Sequence, residues 1–298
     1  MRSNPESGRR EGGKTGRRGV AVRRRFARGG WRHLLLAPFA ALCLLPLVWM
    51  GITSVREPGQ PLPRTLEWVP DPVSWENYPA VFDYVDLWRY AANSVFVVAL
   101  AVPITILVAS WAGFALALLP QAWRMRVTLF SFAVLMVPLT AVWVPRFVLF
   151  NRVGLDDTPW ALIAPALMGT SPFYVLLFLW AFLRVPAEIF EAARLDGAGL
   201  VRTWAGVGLP LARGTVAAVA MLAFVVYWSN YLDPLLFIRT TERQTLPFAL
   251  QMLFQLARSD WPLLMAAAAM VTGPVVLVFL LGQRYFLGEI RGAGWLGR

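Results

Sequence analysis

The chain has 298 residues, is 58% apolar with 14 Trp and 19 Phe, and is only 15% charged. That composition is too apolar for a soluble domain and suits a polytopic helical membrane protein. The net charge of +11 is concentrated: residues 1–32 hold eleven Lys/Arg, from Arg2 to Arg32, against Glu6 and Glu11, so the high isoelectric point does not argue for a nucleic-acid-binding fold.

Residues 1–32 read as a disordered basic tail on the cytoplasmic side, which enforces topology and touches anionic lipid. Gly8-Arg9-Arg10-Glu11-Gly12-Gly13-Lys14-Thr15 matches a phosphate loop letter for letter. A working phosphate loop needs a strand before it and a helix after it, so that backbone N–H groups converge on the phosphate. Nothing apolar precedes Gly8, and Gly16-Arg17-Arg18-Gly19 follows, so the match reads as chance. The apolar run that starts at Leu34 is too long for a signal-peptide core and lacks a small-residue cleavage site, so it reads as a retained first membrane helix. His33 lies at its edge, and Cys43, the single cysteine, excludes a disulfide framework or a cysteine metal cluster.

Six segments are apolar over roughly the 20 residues needed to cross a bilayer, at 33–55, 90–119, 126–150, 160–183, 214–238 and 262–286. Pro38, Pro46, Pro103, Pro138, Pro145, Pro165, Pro172 and Pro274 fall inside them and imply kinks. Basic residues gather in the N-terminal tail, at Arg124 and Arg126, at Arg184, Arg194, Arg202 and Arg213, and at Arg284, Arg291 and Arg298. The 56–89 and 151–159 connections are acidic or neutral, so both termini are assigned to the cytoplasm. The expected fold is all-α: six kinked transmembrane helices over residues 33–290, with a cytoplasmic loop at 184–213 and a short tail at 291–298. The proline-rich 56–89 segment reads as an ordered external cap with little regular structure. No internal repeat stands out.

The 184–213 loop carries the most information. Glu191-Ala192-Ala193, three residues, Gly197, then Val207-Gly208-Leu209-Pro210 form a spaced pattern between two membrane segments. Pro186 fits the first position of a short helix, Glu188 and Glu191 complement the positive end of its dipole, and Gly197 and Gly199 fit as stops. A helix over 187–196 follows. Ala192 and Ala193 leave it a small surface for close approach, while Ile189, Phe190 and Leu195 supply apolar contacts. Such a helix either lies in the bilayer interface or docks into another protein. Leu209-Pro210 reads as the opening of the fifth membrane helix.

This loop resembles the cytoplasmic signature of permease subunits in binding-protein-dependent ABC importers, with Val207 where Ile is more usual. The resemblance runs from about residue 34 to 292, with motifs in order, and is closest to the maltose/glycerol-phosphate type. Asn93-Ser94, Gly154-Leu155-Asp156-Asp157-Thr158, Pro186-Ala187-Glu188-Ile189-Phe190, Trp228-Ser229-Asn230-Tyr231-Leu232-Asp233-Pro234-Leu235, Thr245-Leu246-Pro247 and Gln283-Arg284-Tyr285-Phe286 all fit it. The resemblance implies the smaller, six-helix subunit of a pair in a bacterial cytoplasmic membrane, importing a sugar, oligosaccharide or related polyol. It implies as partners a second related permease, two ATPase subunits and an external substrate-binding protein. ATP and Mg would sit on the ATPase, with no cofactor and no catalytic residue on this chain. Glu188, Glu191, Ala192, Ala193, Asp196, Gly197, Leu209 and Pro210 would then face the ATPase.

Substrate-path candidates are the hydrogen-bonding and aromatic residues on membrane segments: Asn93, Ser94, Thr170, Ser171, Tyr174, Tyr227, Trp228, Ser229, Asn230 and Tyr231. Each competes with a structural role, since polar side chains also bridge membrane helices. Arg146 and Asp233 are the notable charges in or near membrane segments, and either pair with each other or, for Arg146, meet an anionic solute such as a sugar phosphate. A secondary transporter would want several buried acids, for which only Asp233 qualifies. One His, one Cys and no H-E-x-x-H leave little from which to build an enzyme.

Overall fold

The computed structural model describes residues 36–61 and 68–292, with side chains described as far as residue 283. The basic tail, the Gly8–Thr15 match, His33 and the last six residues lie outside the described residues. Among the described residues, all regular structure is helical. The first span is α1 (Leu36–Ser54). It is followed by α2 (Asn77–Tyr84), α3 (Leu87–Ala117), α4 (Gln121–Leu135) and α5 (Leu139–Arg152). Next come α6 (Pro159–Ile163), a 3-10 turn (Ala164–Met168), α7 (Pro172–Leu183) and α8 (Ala187–Leu195). A helical arm then runs through α9 (Leu200–Thr203), a π-helical turn (Trp204–Gly208) and α10 (Leu209–Leu211). The chain ends with α11 (Arg213–Trp228), α12 (Leu232–Phe237), α13 (Leu246–Leu256) and α14 (Trp261–Gly292).

Four stretches are long and apolar enough to cross a membrane: α1, α3, α6 through α7, and α14 up to Gln283. Two further spans are bent pairs, with 91° between α4 and α5 and 83° between the α9–α10 arm and α11. The expected 126–150 helix is therefore two helices. Pro138 is extended at the break (φ −65°, ψ 135°) and, lacking an N–H, cannot donate into a helix continuing from α4. The expected 214–238 helix stops at Trp228, and its last part forms the separate α12.

The 56–89 segment is more regular than its prolines suggest. It contains α2, and α3 begins at Leu87 rather than at 90. Fully buried Asn77 explains the order: its Nδ2 donates to the Ser54 and Arg56 carbonyls at 3.0 and 2.6 Å, satisfying the orphan end of α1.

α3 is the central rod, packed against α7, α11 and α13. Its closest approach is at Gly113, where a Cβ would lie 2.7 Å from Phe178 Cβ and 2.9 Å from the Leu179 nitrogen. Without a side chain there, the two backbones pack directly, as small residues allow in membrane helices. Phe178, Phe182, Val219, Ala223 and Leu253 form the buried core between these helices.

Candidate functional site: the coupling loop and the opposite polar end

The 184–213 loop forms α8 as expected, one residue shorter than the sequence suggested. Pro186 lies just before the helix rather than inside it; its extended conformation (φ −53°, ψ 136°) leaves its carbonyl free to accept the Ile189 N–H at 3.2 Å. Gly197 ends the helix at φ +79°. The Gly197 N–H reaches the Arg194 carbonyl at 3.0 Å and the Ala198 N–H reaches Ala193 at 2.9 Å, the paired bonds of a Schellman stop. Gly199 is not a second stop. It is extended (φ −69°, ψ 169°) and begins α9, its carbonyl accepting the Thr203 N–H at 2.9 Å.

α8 divides its residues between two directions. Phe190 turns inward and meets Phe114 of α3 with ring centroids 5.7 Å apart; Phe114 in turn meets Phe182 of α7 at 5.5 Å. Phe190 thus makes the apolar contact expected of it within the protein, and Ala193, expected to face a partner, is partly covered. Glu188, Glu191, Ala192 and Asp196 are exposed, and Leu195 is 89% exposed. Leu195 thus stands open between exposed carboxylates on a helix that Gly197 stops and Phe190 anchors from behind.

Leu209 and Pro210 do not open the fifth membrane helix. They end the α9–α10 arm, and the chain bends by 83° before α11. The arm is held by Trp204, edge-on to Trp111 at 5.0 Å, and by Gly208, where a Cβ would come within 3.2 Å of the Phe182 ring.

Most of the expected substrate-path residues hold the protein together. Asn93 Nδ2 donates to the Glu242 and Gln244 carbonyls at 2.8 and 2.9 Å, and buried Ser94 Oγ accepts the Leu246 N–H at 2.8 Å. Buried Trp228 donates its ring N–H to the Val271 carbonyl at 2.9 Å, tying α11 to α14. Thr170 and Tyr227 meet each other at 2.8 Å, and Thr170 also meets fully buried Thr105 at 2.6 Å. Tyr174 is buried, and Ser171 caps α7 by accepting the Phe173 N–H at 3.3 Å. Asn230 exchanges two bonds with Asp233, which explains the break: Oδ1 accepts the Asp233 N–H at 3.1 Å, and Nδ2 donates to Asp233 Oδ2 at 3.0 Å. Exposed Ser229 bonds back to the Val225 carbonyl, leaving buried Tyr174 and half-buried Tyr231 as the candidates whose hydroxyls have no hydrogen-bond partner among the described residues.

Arg146 and Asp233 pair with each other. Arg146 Nη2 lies 2.7 Å from Asp233 Oδ2, and both side chains are mostly covered. The guanidinium also sits 4.4 Å from the Phe237 ring centroid. Its buried Nε finds no acceptor, and Nη2 meets Asp233 as a close charge contact without hydrogen-bond geometry, so the pair is incompletely satisfied.

One residue that the sequence mentioned only as part of a turn proves central at this end. Asp157, at φ +56°, accepts backbone N–H groups from Arg239 and Thr240 at 2.9 and 2.8 Å, and the Thr240 hydroxyl on its other oxygen. Arg243 donates to the Asp157 carbonyl at 2.6 Å. The Thr240 hydroxyl and N–H, followed by the Arg239 N–H and the Arg243 charge, hold the Asp157 carboxyl below its ordinary range despite partial desolvation. A short acidic turn before a membrane segment was the available signal; its partners lie some eighty residues away in sequence and could not be read from it.

Residues 80–291 match the family model described as "Binding-protein-dependent transport system inner membrane component". The chain is 30% identical over 262 residues to the arabinooligosaccharides transport system permease protein AraQ of Halalkalibacterium halodurans, covering 87% of this chain and 93% of that protein. It is 30% identical over 280 residues to the diacetylchitobiose uptake system permease protein NgcG of Streptomyces coelicolor, covering 93% and 91%. A solved bacterial ABC transporter that imports the acidic polysaccharide alginate has the same fold, with TM-score 0.70 at 21% identity over 87% of this chain and 96% of that one. The six-span helical architecture is thus that of a type I importer permease, a multi-pass component of the cytoplasmic membrane rather than an enzyme. The chain belongs to the family of inner-membrane components of binding-protein-dependent transport systems.

Proposed function

We propose that this chain is the smaller transmembrane subunit of an ATP-driven importer for a sugar, oligosaccharide or related polyol, coupled to a separate ATPase through α8. The carrying observation is the division of α8: Phe190 anchors it to α3 while Leu195, Ala192, Glu188 and Glu191 stand outward. Asp196 and Gly197 fix where that surface ends. An anchored amphipathic helix with a projecting apolar knob suits a helix-in-groove contact. In this reading ATP and Mg bind two partner ATPase subunits, none on this chain, and closure of the ATPase pair pushes α8. A second related permease completes the membrane path, and an external binding protein delivers the solute. The basic tail 1–32 stays on the cytoplasmic side and the permease domain spans 33–290.

The relatives named above, for arabinooligosaccharides and diacetylchitobiose, support a carbohydrate. The Arg146–Asp233 pair supports a neutral one, because the arginine charge is already answered within the protein. The test is ATP-dependent uptake in proteoliposomes holding the complete importer. Gly197→Val forces a β-branched side chain into a left-handed backbone, and Glu191→Lys reverses the charge of the outward face. Both are expected to insert normally yet abolish uptake and solute-stimulated ATP hydrolysis. Wild-type uptake by both variants would remove the coupling role.

A further inference from the structure

Beside the anchored flank of α8 lies a groove of about 590 Å³, bounded by the ends of α3 and α7 and the first turn of α4. Arg124 from α4, Arg184 from the end of α7 and Arg194 from α8 line it, beside an apolar floor whose exposed side chains are Leu118 and Leu183, with Phe114 and Phe182 buried beneath. None of the ion pairs among the described residues involves these three arginines. Glu188 and Glu191 also line the groove, leaving an excess of one positive charge.

A second observation fixes the groove's surroundings. Arg126 stacks over the ring of Trp123 at 5.0 Å, and Trp123 is 58% exposed on the first turn of α4. An exposed Trp beside arginines marks the interfacial layer of a bilayer. The next turns of α4 carry exposed Met125, Leu129 and Phe130, so α4 presents apolar side chains past the turn that supplies Arg124.

We propose that this groove binds the phosphodiester of an anionic membrane phospholipid, with the glycerol and first methylenes resting on the exposed Leu118 and Leu183 side chains. Guanidinium groups pair with phosphate oxygens through charge-assisted, often bidentate hydrogen bonds. A singly charged phosphodiester matches the single positive excess, whereas a free dianionic phosphate overshoots it and has no use for an apolar floor. A lipid seated there touches α8 along the flank that runs from Phe190 to the Glu188–Glu191 edge of its outward face, so the surrounding membrane biases the position of the coupling helix. This inference does not depend on which solute is carried.

The full-length chain, purified in mild detergent and mixed with phosphatidylglycerol or phosphatidylcholine, is examined by native mass spectrometry. Phosphatidylglycerol should be retained over phosphatidylcholine, and Arg124→Gln/Arg184→Gln should lower its retention by about fivefold per arginine, the size expected for a basic residue at an anionic surface. Arg124→Lys/Arg184→Lys should preserve retention, as should Arg152→Gln at the opposite end of the molecule. Four results would each overturn the site: no preference between the two lipids, unchanged retention in the Gln double variant, loss in the Lys double variant, or an equal loss in Arg152→Gln. Displacement of the lipid by excess inorganic phosphate overturns it too, by identifying the ligand as a soluble anion.

Discussion

Phe190 of α8 meets Phe114 of α3 edge to face, with ring centroids 5.7 Å apart. That contact, together with the Gly197 stop, turns a short exposed helix into one with a fixed direction. Phe190→Ala removes a half-buried ring and is expected to cost roughly 1–3 kcal/mol locally, below the ~3–5 kcal/mol typical of a fully buried Phe. Insertion should stay normal while ATP-dependent uptake in proteoliposomes falls about tenfold, the factor that ~1.4 kcal/mol corresponds to. Phe190→Leu should keep most of the activity. Full uptake by the Ala variant means that the anchor is not used.

Gly113 is where α3 and α7 come closest, and two of the atoms that an added Cβ would strike, Leu179 N and Val175 O, are backbone. Backbone cannot swing aside as a side-chain tip can. Gly113→Ala is expected to cost about 1–3 kcal/mol through overpacking, and Gly113→Val more. Thermal unfolding of the detergent-solubilised chain measures the first; the second should show as lost folded yield.

Asp157 should make the polar end sensitive to acid. Its folded carboxyl is held below the ordinary value of 3.8, so the stability it contributes is present above that value and is lost as pH falls through its lowered folded value. Asp157→Asn tolerates the left-handed backbone (φ +56°) while removing the charge. The variant should melt lower at pH 7, and the gap to wild type should close as the pH drops below about 4, where the unfolded chain begins to take up the proton that the folded carboxyl still resists. A constant gap across the pH series rules out the charge as the cause.

Arg146→Gln and Asp233→Asn should each destabilise the protein, because either leaves a mostly covered charge without its counter-charge. The double variant should lose less than the sum of the two, with a coupling energy of about 0.5–3 kcal/mol from a double-mutant cycle of thermal unfolding. Additive losses mean that the pair does not interact in the working protein. A change in neutral-versus-anionic solute preference on Arg146→Gln would instead place this arginine on the solute.

The membrane spans were legible because twenty apolar residues leave a plain signal, and the α8 stop was legible because Gly197 and its flanking carboxylates act locally. The breaks were not. Pro138 announced a kink but not a 91° turn. The end of α11 depends on Asn230 bonding to Asp233 three residues on, a pattern of the capping-box kind that was present in the sequence but was read as a sugar contact. Asn93, Ser94 and Trp228 were chosen for polarity on membrane helices, and that criterion does not separate groups facing a solute from groups that satisfy backbone carbonyls. Their actual partners, at 242–246 and Val271, are set by tertiary packing.

α3 carries Phe114 near one end and Asn93 near the other, 21 positions apart on a single 31-residue helix. At 1.5 Å per residue that is about 32 Å, roughly the thickness of a bilayer's hydrocarbon core. Phe114 receives α8, while Asn93 and Ser94 hold the segment around Gln244 and Leu246. α3 is thus one continuous helix between the two faces, with Pro103, which donates no backbone hydrogen bond, midway along it. The coupling proposed for α8 would have a single-helix route from Phe190 to the polar loops at the other end.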